Sequence, residues 1–171
     1  MSTPTMLIEI PAVQSDISPN MAQIYYITPG GGSGTDVKIL VDRFALWAVS
    51  AVSDATTYYA GVHPPAYLYT TAGLNRIRVL APGIIKRVFL DWNFVAGSNT
   101  PSSIWIRKNN ATDYLLTNAL NFSSSPLSLN ITGLSIPLAD GDYFEFKWTT
   151  PTWPSNPTNV YGWATTYLEK S

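Results

Sequence analysis

A chain of 171 residues with a net charge of −1 is long enough for one domain plus a small appendage, and for a core that hides about 70% of the unfolded surface. The absence of cysteine excludes disulfides, thiolate metal sites and cysteine nucleophiles, and the absence of any Lys/Arg run removes the charge footprint of a nucleic-acid binder. Charged residues are only 12%, about half the usual share, against 46% hydrophobic and 13% aromatic, so part of the surface is expected to be buried against other copies or another protein.

The opening MSTPTMLIEIP has neither a basic flank nor an apolar core, and no apolar run approaches the ~20 residues that span a bilayer. Neither a secretory leader nor membrane insertion is expected. Residues 22–29, AQIYYITP, read as a strand from their β-branched and aromatic content. Gly30-Gly31-Gly32-Ser33-Gly34 then predicts a flexible hairpin tip leading into Val37-Lys38-Ile39. Leu40, Phe44, Trp47 and Ala48 fall at helical spacing, with Asp42 placed to cap, and predict a short helix over 40–50. Continuation of the strand from Val37 is the other reading of so short a run.

This opening resembles the segment that begins many tail fibres and tailspikes of tailed bacteriophages: hydrophobic-Pro-Ala, a polar turn, a strand, glycine, a second strand and a helix start. The matching pieces are Ile10-Pro11-Ala12, residues 15–20, Gln23-Ile24-Tyr25-Tyr26-Ile27, the glycine tip, and residues 37–44. The long GGGSG tip and the hydrophobic Leu40-Val41 depart from the family pattern. The resemblance implies that residues 1–53 dock the protein on a virus particle, with Ile10, Ile24, Tyr26, Phe44 and Trp47 as the docking residues.

From residue 54 to 171 the pattern is all β. Thr56-Thr57-Tyr58-Tyr59-Ala60 predicts a strand, and Gly61-Val62-His63-Pro64-Pro65 a rigid crossing that cannot donate to a ladder. Residues 75–80 alternate, Ala81-Pro82-Gly83 turns, and residues 84–95, IIKRVFLDWNFV, predict the half-buried strand around which the domain closes. There Val88, Leu90, Trp92 and Phe94 share one face, while Arg87, Asp91 and Asn93 share the other with Phe89 among them. Further strands are expected at 103–107, 114–116, 127–131, 134–138, 143–148 and 160–168. Pro137 marks an irregular or edge ladder, and Phe144, Phe146 and Trp148 should point inward. About eight strands with a turn every eight to twelve residues predict a mostly β protein: an antiparallel jelly-roll sandwich carrying a small N-terminal hairpin-plus-short-helix segment.

The phrase at 136–147, IPLADGDYFEFK, is similar to a strand pair of trimeric jelly rolls of the complement and tumour-necrosis-factor type. Ala81-Pro82-Gly83-Ile84-Ile85 and Ile106-Arg107-Lys108-Asn109-Asn110 resemble phrases of small phage and marine-virus jelly-roll modules. These likenesses imply a homotrimer among other virion proteins and carry over no catalytic residue.

The residues themselves offer little chemistry. His63 is the single histidine and has no second ligand nearby in sequence; a packing or loop role outweighs general-base work. Asp140 and Asp142 bracket Gly141 and read as a hairpin turn rather than a cation site. The glycines at 30–34 lack the Lys-Ser/Thr of a phosphate loop, and the sequons at Asn110, Asn121 and Asn130 are chance in a Ser/Thr/Asn-rich chain. No enzyme activity and no cofactor are expected.

Aromatics are the informative class. Trp153, in the proline-rich loop 151–157, has the polar neighbour Asn156 and is a candidate for stacking on a host-surface glycan or for a protein contact, with local packing as the third reading. Trp105 and Arg107 project outward and join them as ligand candidates, while Tyr161, Trp163 and Tyr167 line one side of the last strand as a candidate subunit seam. The expected object is a virion protein assembled in the host cytoplasm, a receptor-binding tail component or a capsid decoration protein.

Overall fold

The computed structural model describes residues 24–27, 38–47, 52–61, 68–79, 82–95, 97 and 99–170. These form eleven strands: β1 (Ile24–Ile27), β2 (Lys38–Trp47), β3 (Thr57–Ala60), β4 (Ile77–Arg78), β5 (Gly83–Val95), β6 (Ser102–Lys108), β7 (Thr112–Leu120), β8 (Leu127–Ile131), β9 (Ile136–Leu138), β10 (Tyr143–Thr149) and β11 (Thr158–Lys170). The described residues contain no helix. The first sheet runs β1-β2-β11-β5-β8, with β9 also on β5; the second runs β3-β10-β6-β7, with β4 also on β10. Every pairing is antiparallel.

The short helix expected over 40–50 is corrected: residues 38–47 are strand β2. It pairs with β1 on one side and with β11 on the other, Leu40 opposite Tyr167 and Trp47 opposite Tyr161. A ten-residue strand with ladders on both edges gains cross-strand hydrogen bonds that an isolated short helix cannot match, so tertiary pairing overrides a four-residue periodicity. The hairpin expectation is met by the β1–β2 pairing, while the glycine tip lies outside the described residues. The opening segment thus supplies two strands, β1 and β2, to the first sheet.

Alternation builds the core. Val88, Leu90, Trp92 and Phe94 of β5 are buried, as are Ile104 and Ile106 of β6 and Phe144, Phe146 and Trp148 of β10. The sheets meet through aromatic rings: Trp92 lies 5.1 Å from Trp148, and Phe122 contacts both at 5.5 and 5.4 Å. Each such ring taken out of water stabilises the fold by roughly 1.5–3 kcal/mol from area alone. Strand β11 reaches this core only because residue 162 is glycine; a Cβ there would stand 2.7 Å from the Trp92 ring.

One edge and one turn follow from backbone chemistry. Pro137 cannot donate to a ladder, and among the described strands β9 accordingly pairs with β5 alone. The β6–β7 hairpin turns on Asn109 and Asn110, both with left-handed φ of 51° and 53°, which asparagine tolerates better than other side chains do.

Candidate functional site

The outer face of the first sheet is where the sequence places the subunit seam. On β11, Tyr161, Trp163, Thr165 and Tyr167 face away from the core, because Val160, Gly162, Ala164, Thr166 and Leu168 fill the inward positions. In register across β5 stand Asn93, Asp91, Phe89 and Arg87. Tyr161 is 44% exposed and Phe89 37%, while Trp163 and Tyr167 are half-buried.

The polar groups among these rings are held by β8. Ser128 Oγ donates to Asp91 Oδ1 at 2.6 Å, and Arg87 Nε donates to Asn130 Oδ1 at 2.7 Å. The Arg87 guanidinium lies 4.2 Å over the Phe89 ring, a cation–π contact that fixes both side chains. Neither Arg87 nor Asp91 is in an ion pair with another described residue. Around the Phe89–Thr165 pair the described side chains of β5 and β11 therefore combine apolar area with the cation of Arg87 and the anion of Asp91.

The outer face of the second sheet is different in kind. Arg107 reaches Asp113 through Nη1 at 2.8 Å and Asn110 through Nε at 3.0 Å. Lys147 donates to the other Asp113 oxygen at 2.6 Å and lies 5.1 Å over the Trp105 ring. Partial burial pushes the Asp113 carboxyl up, but the hydrogen bonds and charges of Lys147 and Arg107 outweigh it and hold the group below its ordinary range. These charges satisfy one another.

Beside them, Glu145 is fully buried although its position on β10 points outward. The segment 68–76 crosses above it: Tyr69 exchanges backbone hydrogen bonds with Tyr59, Asn75 Nδ2 donates to the Tyr59 carbonyl, and the Gly73 N–H donates to both Glu145 oxygens at 2.9 and 3.0 Å. Burial pushes the Glu145 carboxyl up, against the pull of the Gly73 N–H and of Arg107 and Arg76. No local sequence signal marks this acid as buried, because the cover comes from a segment some 70 residues earlier.

The four ligand candidates do not form one site. The reading of Trp153 as a loop ring outside the core is corrected: it is 4% exposed, contacts Phe122 and Trp148 at 6.1 and 6.3 Å, and donates its indole N–H to the Thr100 carbonyl at 2.8 Å. Asn156 donates to the Val52 carbonyl at 2.7 Å. The proline-rich loop folds back over the end of the sandwich and plugs it, which local polarity does not reveal. Trp105 and Arg107 lie instead on the outer face of the second sheet, inside the ion network. Of the docking candidates, Ile24 and Tyr26 belong to β1, Phe44 and Trp47 to β2, and Ile10 lies outside the described residues, as does His63. At the turn 139–142, the Asp142 carboxylate is taken by Asn109, Lys108 and the Ala139 N–H, at 2.7, 2.8 and 2.7 Å.

No family model matches the chain, and no curated protein matches it. A solved structure described as a cyanophage Pam1 capsid asymmetric unit contains a chain similar to this one at 12% identity and a TM-score of 0.49, covering 95% of this chain and 100% of that chain. Likeness at that level transfers neither fold nor role.

Proposed function

We propose that the protein is a non-enzymatic structural component of a tailed-phage virion, a jelly roll whose copies associate through apolar surface and which docks on the particle through residues 1–53. The sheet orders support the jelly-roll reading: the six- and five-stranded sheets contain the four-strand runs β2-β11-β5-β8 and β3-β10-β6-β7, with chain-distant strands interleaved, the double Greek-key arrangement used by viral capsid and lectin domains. The phage-type phrases at 7–45 and 81–147 support the virion reading. The observation that carries self-association is the row of half-exposed rings on β11 beside Phe89, in a chain with few charges to solvate its surface. The jelly-roll resemblance implies three copies; the charge pattern of the face favours two.

Two positions on the particle compete. As a receptor-binding tail component, the protein meets a host-surface glycan, and with Trp153 inside the core the contact falls to exposed loops or to the sheet faces. As a capsid decoration protein it clamps neighbouring capsomers. The pairing of β2 with β11 supports the second, because the opening segment is tied into the sandwich by a backbone ladder rather than by a stalk. Antibody labelling of particles under the electron microscope, with copy number per particle, separates them: hundreds of copies over the head support decoration, and a few dozen or fewer at the tail support receptor binding. Particles free of the protein overturn both.

A further inference from the structure

We propose that the outer face of the first sheet is a self-complementary seam on which a second copy of this chain sits, about a two-fold axis that crosses β5 and β11 at the Phe89–Thr165 rung. The inference rests on the self-association in the reading above, not on the virion location.

The register carries it. Thr165 stands opposite Phe89; one rung along one way are Trp163 and Asp91, and one rung along the other way are Tyr167 and Arg87. The ladder is unbroken from Tyr161 to Tyr167, so these rungs are evenly spaced about the centre. Each flanking rung holds one aromatic ring and one charge, and the two charges are opposite.

A two-fold axis lying between two such faces and running across the strands reverses strand direction while keeping each strand over its own equivalent. Phe89 then meets itself, Tyr167 meets the partner's Trp163, and Arg87 meets the partner's Asp91 twice over, once on each side of the axis. Among the described residues neither charge has an ion-pair partner within its own copy. The Arg87 bond to Asn130 uses Nε, leaving its terminal nitrogens, and the Ser128 bond to Asp91 uses Oδ1, leaving Oδ2.

Size and symmetry agree with a pair. The three long strands β2, β11 and β5 have 10, 13 and 13 residues. At about 3.3 Å per residue and 4.8 Å between strands they present on the order of 600 Å² before β1 and β8 add to it, against about 800 Å² per partner in a stable interface. A face that meets its own copy does so about a two-fold axis, whereas three-fold closure joins two different surfaces.

The test uses the full chain, sedimentation over a range of concentrations, and four variants. The wild type should run as a pair or an even multiple. Arg87→Asp and Asp91→Arg should each weaken association about tenfold or more at low salt, because each sets like charges opposite one another. The double variant Arg87→Asp/Asp91→Arg should restore it, since the swapped charges meet again across the axis. Phe89→Cys, in a chain without other cysteines, should link to itself through a short bis-maleimide spanning the about 10 Å between packed sheets. That variant changes no charge and stands even where a reversal disturbs folding, which circular dichroism monitors. The proposal is overturned by a wild type that stays monomeric at about 100 μM, a concentration that reveals even weak pairing. A trimer indifferent to both reversals, a double variant that fails to recover, or association that needs added glycan or another virion protein overturns it equally. Labelling of particles would stand unaffected by any of these results.

Discussion

Trp148 and Ser102 are joined by a buried hydrogen bond in which the indole N–H donates to the hydroxyl at 2.8 Å, and that hydroxyl donates onward to the Leu120 carbonyl at 3.2 Å. One small side chain thereby ties β10, β6 and β7 together at the floor of the core. Ser102→Ala leaves the indole donor without a partner, and the expected cost is about 1–3 kcal/mol. Urea denaturation followed by tryptophan fluorescence measures it; an unchanged midpoint would count against the bond.

Gly162 makes the close approach of β11 to the core depend on a missing side chain. Adding a methyl group places it 2.7 Å from the Trp92 ring, and either the ring or strand β11 must move. Gly162→Ala should destabilise the fold by about 1–3 kcal/mol, read as a lowered denaturation midpoint with an unchanged slope.

Trp153→Ala is expected to act as a core deletion, at about 3–5 kcal/mol, since the ring packs on Phe122 and Trp148. Trp153→Phe keeps most of the packing but removes the indole N–H that donates to the Thr100 carbonyl, and should fall between that variant and the wild type in thermal denaturation. A Trp153→Ala protein as stable as the wild type would restore the surface-loop reading.

These positions show how far the sequence could be read. Alternation in 84–95 correctly sends Val88, Leu90, Trp92 and Phe94 inward and leaves Phe89 outside, because side-chain phase in a strand is a local property. The outward row Tyr161, Trp163 and Tyr167 was legible for the same reason. What failed was set by distant partners. Strand β2 replaces a helix because two neighbours pair with it; Trp153 is buried because its loop closes on Val52, Asp54 and Thr100. Glu145 is hidden by a segment whose sequence carries no sign of its destination.

Two carboxylates give stability opposite pH dependences. Burial raises Glu145, so the folded chain holds its proton more readily than the unfolded one. Its contribution is complete below the ordinary glutamate range and declines as pH climbs through the raised value. Glu145→Gln, which retains an acceptor for the Gly73 N–H, should therefore gain on the wild type as pH rises from 4 to 7, measured by denaturation midpoints across that range.

Asp142 runs the other way. Hydrogen bonds from Asn109, Lys108 and the Ala139 N–H lower it from 3.8 to about 2. Its contribution is present above the ordinary aspartate value and is lost as pH falls toward 2. Asp142→Asn should flatten the acid limb of the stability curve below pH 4 relative to the wild type. Acid titrations of the two proteins that run parallel would show that the turn does not hold the charge.

Strand β11 is the bridge between β2 and β5, yet it follows both in the chain. During synthesis β2 and β5 leave the ribosome with their facing edges unzipped, and each edge waits for the same late segment. That interval is when a nascent chain is most prone to stick to its neighbours. A chaperone that shields open edges should raise the soluble yield.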